Sequence, residues 1–308
     1  MEVLSKVVLI GAAGTVGSHV LKALLEDERF KITILSRLDS TSTFPTHSNI
    51  KLVRTEYTVA NLIQTFQAHD AVISVTGVQA VSQQATWIEA AHQAGVKRFV
   101  LNDYGNSIEN QIGLPELEHF RNTRRECLAL VKRIAMEDDG FSWSSLATGN
   151  FIDYSLKKYV AFGFDIPARK ARLVDDGTER LSAVTLQDIG AAVRGILRQS
   201  ETTKNRYLHI RSTETCQREI LEALQEQTGS QWEVRYEDSK VMYERGKEAF
   251  AKGERSGMLD LLVTQLFQKG SGRSIVVSRQ QSDNGLLGVQ EKDISVIVAD
   301  VLATFDTI

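Results

Sequence analysis

The sequence predicts an α/β fold of the doubly wound, Rossmann type, in which helices cover both faces of a parallel sheet. Three observations predict it. Short apolar, β-branched runs recur along the first half of the chain, helix-like stretches separate these runs, and a glycine-rich turn follows the first of them. Continuous apolar strands are typical of parallel sheets buried on both faces, and their alternation with helices is typical of doubly wound domains.

The first half of the chain supplies the strands of this sheet. Six runs predict strands, at residues 6–12, 31–37, 50–53, 69–77, 96–103 and 141–146. The segment after the first run places Val16, Val20 and Leu24 on one face at helical spacing, as expected of a helix that covers the sheet. Residues 1–150 are therefore predicted to form the core of the molecule.

The second half predicts a smaller, mostly helical region over residues 151–308 that is interleaved with the core. Helices are predicted at 184–197, at 216–228 before Gly229, and at 258–267, the last being apolar enough to cover a pocket. Residues 233–255 contain six acidic and six basic side chains and predict a solvated helical face.

Composition excludes several classes of protein. The 308 residues carry a net charge of −3, so no overall positive field indicates a nucleic acid or an anionic membrane as partner. No apolar stretch approaches the roughly 20 residues that span a bilayer, and the first residues leave no room for a signal peptide. Cys127 and Cys216 cannot form a disulfide framework, and the histidines lack metal-ligand spacing. We expect a soluble protein of a reducing compartment, without a metal.

The strongest motif is the turn Gly11-Ala-Ala-Gly14-Thr-Val-Gly17, which follows the first strand and opens the first helix. Glycine lets the backbone turn tightly and approach a pyrophosphate, whose charge then meets the helix N-terminus. The motif predicts a dinucleotide site formed by residues 11–17, that is by Gly11, Ala13, Gly14, Thr15, Val16 and Gly17. The alternative is a tight turn in an α/β protein that has lost its ligand.

The residue that selects between NAD and NADP follows at the end of the second strand. An acidic residue there accepts the ribose 2′-hydroxyl of NAD, whereas an arginine accommodates the 2′-phosphate of NADP. This chain has Arg37, 20 residues after Gly17, and a guanidinium matches phosphate through forked hydrogen bonds. We predict NADP(H), while the nearby Asp39 leaves NAD as the alternative. Thr76 and Gly77, at the end of the fourth strand, are predicted to pass beneath the cofactor.

With these residues placed, the chain resembles the NmrA-like and isoflavone-reductase-like branch of the atypical short-chain dehydrogenases. The resemblance rests on the order of five motifs: GAAGTVG, SR, VKRFVLNDYG, FSWSSLATGNF and VTLQDIGAAV. It covers most of residues 4–200 and extends more loosely to about residue 270. Members are mainly cytosolic NADPH-dependent reductases of plant or fungal secondary metabolism, and a few, NmrA among them, bind a dinucleotide as regulators without catalysis. The resemblance implies a cytoplasmic fungal enzyme, a monomer or homodimer, that acts on a bulky organic molecule.

The resemblance also implies residues at the nicotinamide end of the site. The segment Asn102-Asp103-Tyr104-Gly105 stands where such reductases carry a Ser-Glu-Phe-Gly-like sequence. Asn150 and Phe151 would lie near the nicotinamide.

The lysine that these reductases place on the helix after the fifth strand, as proton donor or relay, is missing here. No lysine occurs between Lys97 and Lys132, and the expected position falls near Thr123 or Arg124. Reduction of a carbonyl leaves an alkoxide that a positioned acid must protonate. Arginine is a poor proton donor, although it stabilises negative charge. Asp103 could instead support a cationic iminium, whose reduction needs no such acid.

Three functions therefore remain open. The first is an NADPH-dependent reductase of an imine, an iminium or a conjugated substrate, with Asp103, Arg124 and Thr123 as catalytic candidates; in its plainer form, a water or another side chain replaces the lysine. The second is a catalyst of cyclisation or isomerisation, as in alkaloid biosynthesis, that binds NADP(H) without net redox change. The third is a dinucleotide-sensing regulator.

Tyr154 and Lys158 have the Tyr-x-x-x-Lys spacing of ordinary short-chain dehydrogenases, with Ser142 upstream, but they follow the sixth strand and so lie on the wrong element. The basic residues between Arg121 and Arg133 are expected to form a solvated helix face.

The walls of a substrate pocket are expected to come from Phe151, Tyr154, Phe162, Phe164 and the helix at 258–267.

Overall fold

A computed structural model describes residues 3–109 and 113–305 of the chain. Thirteen strands lie within these residues: β1 Lys6–Ile10, β2 Lys31–Arg37, β3 Ile50–Thr55, β4 Ala71–Ser74, β5 Arg98–Val100, β6 Ser142–Ala147, β7 Asn150–Phe151, β8 Phe164–Asp165, β9 Lys170–Val174, β10 Leu181–Val184, β11 Arg206–His209, β12 Thr213–Thr215 and β13 Glu233–Glu237.

The same residues contain eleven α-helices and four short 3₁₀ segments. The helices are α1 Thr15–Leu25, α2 Val59–Phe66, α3 Gln84–Gln93, α4 Glu118–Glu137, α5 Ile152–Lys158, α6 Leu186–Arg198, α7 Gln217–Thr228, α8 Ser239–Ala251, α9 Arg255–Phe267, α10 Asn284–Leu287 and α11 Ile294–Ala303. The 3₁₀ segments are Val78–Gln83, Pro115–Leu117, Val160–Phe162 and Arg279–Gln281.

Seven parallel strands form the central sheet, in the order β11-β6-β5-β4-β1-β2-β3. The apolar runs become strands because their side chains are buried on both faces; β4 and β6, for example, are buried at every position. The doubly wound α/β fold class is thereby confirmed. The strand order reverses between β1 and β4, and ligands of such sheets bind beyond the carboxyl ends of the strands at this switch point.

Two hydrophobic cores lie on opposite faces of the sheet. One packs α1 and α6 against the strands, through side chains such as Val20, Leu24 and Ile189. The other packs α3 and α4 against the strands, through side chains such as Trp87 and Val131. These helices therefore fix the carboxyl edge of the sheet from both sides.

The region beyond residue 151 contains the predicted helices. Helix α6 begins after Thr185, whose side chain accepts a hydrogen bond from the Asp188 backbone N–H, and α7 ends at Gly229, whose φ of +59° is left-handed. Helix α9 is the predicted apolar helix. Within the described residues, none of the helices combines the length and the hydropathy needed to cross a membrane.

The same region also contains strands that the sequence did not predict. Two three-stranded sheets, β12-β10-β7 and β13-β9-β8, lie in or at the start of it, and residues 233–255 divide into β13 and α8 rather than one helix. Strand β11 joins the central sheet as its seventh strand, so the second half is interleaved with the first. The division of the chain at residue 150 stays a prediction.

Candidate functional site

The glycine turn lies at the switch point, between β1 and α1. Gly11 has a φ of +91°, and a Cβ on it would lie 2.6 Å from the Val75 carbonyl oxygen at the end of β4. The Gly14 N–H donates to the Gly11 carbonyl at 2.9 Å, which closes the turn. Position 11 requires glycine because the left-handed φ would strain any other residue and because a Cβ would collide with the end of β4.

Gly17 sets the distance between the helix and the turn. A Cβ at this position would lie 2.0 Å from the Gly11 carbonyl oxygen. The first turn of α1 carries no acidic side chain, and Ala13 and Gly14 are exposed at its N-terminus, with Thr15 and Val16 half-buried behind them. An exposed helix N-terminus without a competing carboxylate suits the pyrophosphate of a dinucleotide.

Arg37 ends β2 at the same edge. Its side chain is 73% exposed, and its Nε lies 3.8 Å from Asp39, itself 80% exposed. Such an exposed pair contributes little, so the guanidinium is available to an incoming phosphate.

Arg54, which sequence reasoning missed, shapes the segment after Arg37. Its guanidinium donates to the carbonyl oxygens of Ser40 at 3.1 Å and Ser42 at 2.6 Å. Strand β3 pairs Arg54 with Ser36 of β2. The pairing of β3 with β2 brings Arg54 to the loop at residues 40–42. The sequence does not reveal how strands pair, so it carries no signal for this role of Arg54.

Thr76 and Gly77 follow β4 on the opposite side of the turn. The Asn102 side-chain amide donates to the Thr76 carbonyl at 2.7 Å and to its hydroxyl at 3.1 Å, which ties the ends of β4 and β5 together. A Cβ on Gly77 would meet nothing within 4 Å. The space above Gly77 is therefore open to a ligand.

Asp103 lies just past β5 and is 2% exposed. Its Oδ2 accepts a hydrogen bond from the Tyr207 hydroxyl, and the Ser145 hydroxyl lies at 3.5 Å from the same oxygen. Its Oδ1 lies 3.6 Å from Arg124 Nη1 of α4. Burial raises the pKa of Asp103 to about 6, because the opposing effects of Arg124 and Tyr207 offset the loss of hydration only in part.

Arg124 of α4 lies next to this buried carboxylate and to Gly105. Its side chain is 21% exposed, its Nη1 would be 3.7 Å from a Cβ on Gly105, and its Nε is buried without a hydrogen-bond partner in the described part of the chain. Thr123 is half-buried and one position earlier, which on an α-helix is a rotation of about 100°. The structure thus brings Asp103 and Arg124 together, while the catalytic role of Thr123 stays a prediction.

Asn150 and Phe151 approach the same segment from β7. The Thr148 and Gly149 N–H groups donate to the Gly105 carbonyl at 2.9 and 3.0 Å, so residues 148–151 lie beside residues 102–105. Asn150 Oδ1 is buried and has no hydrogen-bond partner in residues 3–109 and 113–305. Phe151 is half-buried and packs against the core on the α1 side of the sheet.

The Tyr-x-x-x-Lys pattern forms no catalytic group with Ser142. Ser142 begins β6, where its hydroxyl donates to the Lys97 carbonyl at 2.6 Å, at the strand end remote from Asp103. Tyr154 and Lys158 lie on α5, after β6, as the strand count predicted.

Two of the expected pocket residues belong to the core instead. Phe162 and Phe164 are buried, and Phe162 packs edge-on against Phe267 of α9 with ring centroids 5.0 Å apart. An apolar sequence pattern alone does not separate a pocket wall from a core position.

The basic side chains of α4 are largely neutralised by neighbouring carboxylates. Arg121 and Arg125 both pair with Glu118, while Lys132 pairs with Glu109 at 2.6 Å and Arg133 with Glu137 at 3.4 Å. Arg125, Lys132 and Arg133 are solvated as the sequence predicted, whereas the prediction was wrong for Arg121, which is buried, and for Arg124, which pairs with Asp103. No group of residues suited to hold a metal ion occurs among the described residues.

Comparison with known proteins identifies the family. The model of the NmrA-like family matches residues 4–246. The chain belongs to the NmrA-like family. Among curated relatives of this NmrA-like protein, oxidoreductase poxI of Penicillium oxalicum is 37% identical over 94% of this chain and 92% of the relative. Oxidoreductase aprR of Aspergillus flavus is 31% identical over 96% and 98%. The resemblance seen in the sequence is confirmed.

Solved structures share the fold of this NmrA-like chain at low sequence identity. AtPrR2 with NADP⁺ and (+)-pinoresinol has a TM-score of 0.80 at 16% identity and covers 98% of this chain and 100% of that one. Leucoanthocyanidin reductase of Vitis vinifera with NADPH has a TM-score of 0.78 at 15% identity, over 97% and 100%. Isoflavone reductase has a TM-score of 0.73 at 17% identity, over 96% and 99%.

Proposed function

We propose that this NmrA-like protein is an NADPH-dependent reductase of a bulky organic molecule, of the kind found in secondary metabolism. The observation that carries the proposal is the arrangement of the carboxyl edge: an acid-free helix N-terminus at Gly14, an exposed Arg37 and an open space above Gly77 lie around one switch point. The names of the fungal relatives, both oxidoreductases, support it.

Three groups of residues would hold NADP(H). The backbone of residues 11–17, from Gly11 through Ala13, Gly14, Thr15 and Val16 to Gly17, would cradle the pyrophosphate. Arg37 would bind the 2′-phosphate through forked hydrogen bonds. Thr76, Gly77, Asn150 and Phe151 would line the nicotinamide side, beside the open space at Gly77.

Arg124 would take over part of the work of the missing lysine. When bound, NADPH supplies a hydride, and addition of that hydride to the β-carbon of a conjugated carbonyl moves an electron pair onto the carbonyl oxygen. The Arg124 guanidinium, already 21% exposed at the edge, would stabilise this oxygen by charge and hydrogen bonding. The α-carbon would then take its proton from water, so no acidic side chain is required.

The charge of the site favours a conjugated carbonyl over an iminium substrate. Asp103 is 2% exposed and lies behind Arg124, and Arg121 of the same helix also acts on it electrostatically. A bound ligand therefore meets the guanidinium rather than the carboxylate. A cationic iminium would be repelled at this position, whereas a developing oxyanion would be attracted.

Parallel fluorescence titrations with NADPH, NADP⁺, NADH and NAD⁺ test the proposal. We expect NADPH to bind at least tenfold more tightly than NADH. Binding of neither phosphate-bearing dinucleotide, or a preference for NAD(H), would overturn it. A clear preference for NADP⁺ over NADPH, without turnover of any conjugated carbonyl, would favour the dinucleotide-sensing regulator. Conversion of a substrate without consumption of NADPH would favour the cyclisation or isomerisation catalyst.

A further inference from the structure

Tyr207 of β11, which no sequence motif marks, contacts the buried carboxylate of Asp103. The backbone N–H of Ile108 donates to the Tyr207 hydroxyl oxygen at 3.2 Å. Since the oxygen already accepts this bond, its own proton is directed to Asp103 Oδ2. Burial and the neighbouring Asp103 charge raise the pKa of Tyr207 well above its usual value. The hydroxyl therefore stays protonated and remains a donor throughout the neutral range.

The other groups around Asp103 hold its carboxylate less closely. Arg124 Nη1 is 3.6 Å from Oδ1, which has no hydrogen-bond partner within the described residues, and the Ser145 hydroxyl lies at 3.5 Å from Oδ2. The titratable or charged groups that act on Asp103 or feel its charge are Arg121, Arg124 and Cys127 of α4, the adjacent Tyr104, and Tyr207 of β11. Of these, Tyr207 makes the close hydrogen bond.

We propose that Tyr207 is a positioning residue: its hydroxyl keeps the buried Asp103 ionised, and the ionised Asp103 keeps the Arg124 guanidinium at the wall of the site. A protonated Asp103 no longer attracts the Arg124 guanidinium by charge, and Arg124 Nε has no hydrogen-bond partner among the described residues. Its guanidinium would then move toward solvent. The consequence for reduction rests on the function proposed above, whereas the coupling between Tyr207 and Asp103 does not.

Removal of the hydroxyl alone gives a clear perturbation. In Tyr207→Phe the ring keeps its packing, including its contact with the His209 ring at 5.2 Å between centroids. The Asp103 carboxylate loses its close hydrogen-bond donor, so the protonated, neutral form of Asp103 becomes more favourable. We expect the protonation midpoint of Asp103 to rise by about one pH unit, a tenfold change in its ionisation equilibrium.

Carboxyl ¹³C NMR of aspartate-labelled protein measures this midpoint directly, and Asp103→Asn identifies the signal. A second change, 3-fluorotyrosine placed at position 207, keeps the ring and makes the hydroxyl a stronger donor, so we expect the midpoint to fall. Tyr236→Phe, at an exposed position of β13, serves as the control and should leave it unchanged. Equal midpoints in the wild type, Tyr207→Phe and the fluorinated protein would overturn the proposal.

The pH dependence of reduction separates positioning from a structural role. With Asp103 midpoints of about 6 in the wild type and about one unit higher in Tyr207→Phe, we expect the variant to lose roughly half of its activity near pH 7 and to recover it near pH 9, where Asp103 is ionised again. A loss of the same factor at every pH would mean that Tyr207 only stabilises the fold, and would refute the positioning role. Should the wild type bind no NADPH, the proposed function fails, while the NMR midpoints still decide whether Tyr207 controls Asp103.

Discussion

Replacement of Arg37 by alanine separates NADPH from NADH. In the free protein the guanidinium is 73% exposed and 3.8 Å from Asp39, so its removal should leave folding unchanged. In the complex it would donate to the 2′-phosphate, and hydrogen bonds to charged groups contribute about 1.5–3 kcal/mol. At 1.4 kcal/mol per factor of ten, Arg37→Ala should weaken NADPH about 10- to 100-fold. NADH lacks the phosphate and should bind within about twofold of its wild-type affinity.

Isothermal titration calorimetry with both dinucleotides measures these affinities. Arg133→Ala is the matched control, because Arg133 is also exposed, pairs with Glu137 at 3.4 Å and lies on α4, away from β2. Its removal changes the net charge equally and should leave the NADPH affinity unchanged. An equal loss for NADPH and NADH in Arg37→Ala, or the same loss in Arg133→Ala, would refute the assignment of the 2′-phosphate to Arg37.

Three further predictions follow from other parts of the structure. Gly17→Ala should lower the free energy of unfolding by about 2 kcal/mol and abolish dinucleotide binding, because its Cβ would lie 2.0 Å from the Gly11 oxygen. Gly285→Ala, whose Cβ would meet nothing within 4 Å, should change neither property. Urea denaturation and fluorescence titration check this, and a Gly17→Ala variant that is stable and binds the dinucleotide would contradict it. Arg124→Met should lower kcat about 100-fold with an unchanged NADPH affinity, as steady-state kinetics would show; an unchanged kcat would remove Arg124 from the chemistry. Hydrogen bonds from Arg29 and Arg198 hold the pKa of Asp27 well below its usual value, so its contribution to stability is fully present above about pH 4 and is lost gradually as the pH falls toward the lowered pKa. Asp27→Asn should therefore cost about 1–2 kcal/mol at pH 7 and clearly less at pH 2. Urea denaturation measures both values, and an equal cost at the two would contradict the ionised pair.

The parts of the fold that depend on local sequence could be predicted. One continuous segment contains the glycine turn, the first strand–helix unit and Arg37. The left-handed φ at Gly11 and the close contact at Gly17 both require glycine, so the residue types themselves indicate the turn. Five of the six predicted strands of the central sheet are likewise buried at nearly every position, whereas β3 at the edge of the sheet is largely exposed.

The missed parts depend on contacts between distant residues. Tyr207 and Asp103 are 104 positions apart, and β11 has only four residues, of which Arg206 is exposed. So short a strand shows no periodicity, and its place beside β6 follows from packing rather than from its own sequence. The two small sheets of the second half were missed for the same reason.

Transfer of deuterium tests the central claim most directly. The protein is incubated with NADPH deuterated at C4 of the nicotinamide and with one of two bulky substrates, a conjugated carbonyl or a matched iminium. Mass spectrometry then measures the mass of each product. The account predicts one deuterium at the β-carbon of the reduced carbonyl compound for each NADPH consumed, and little reduction of the iminium. Efficient reduction of the iminium alone, or conversion of substrate without deuterium in the product, would contradict it.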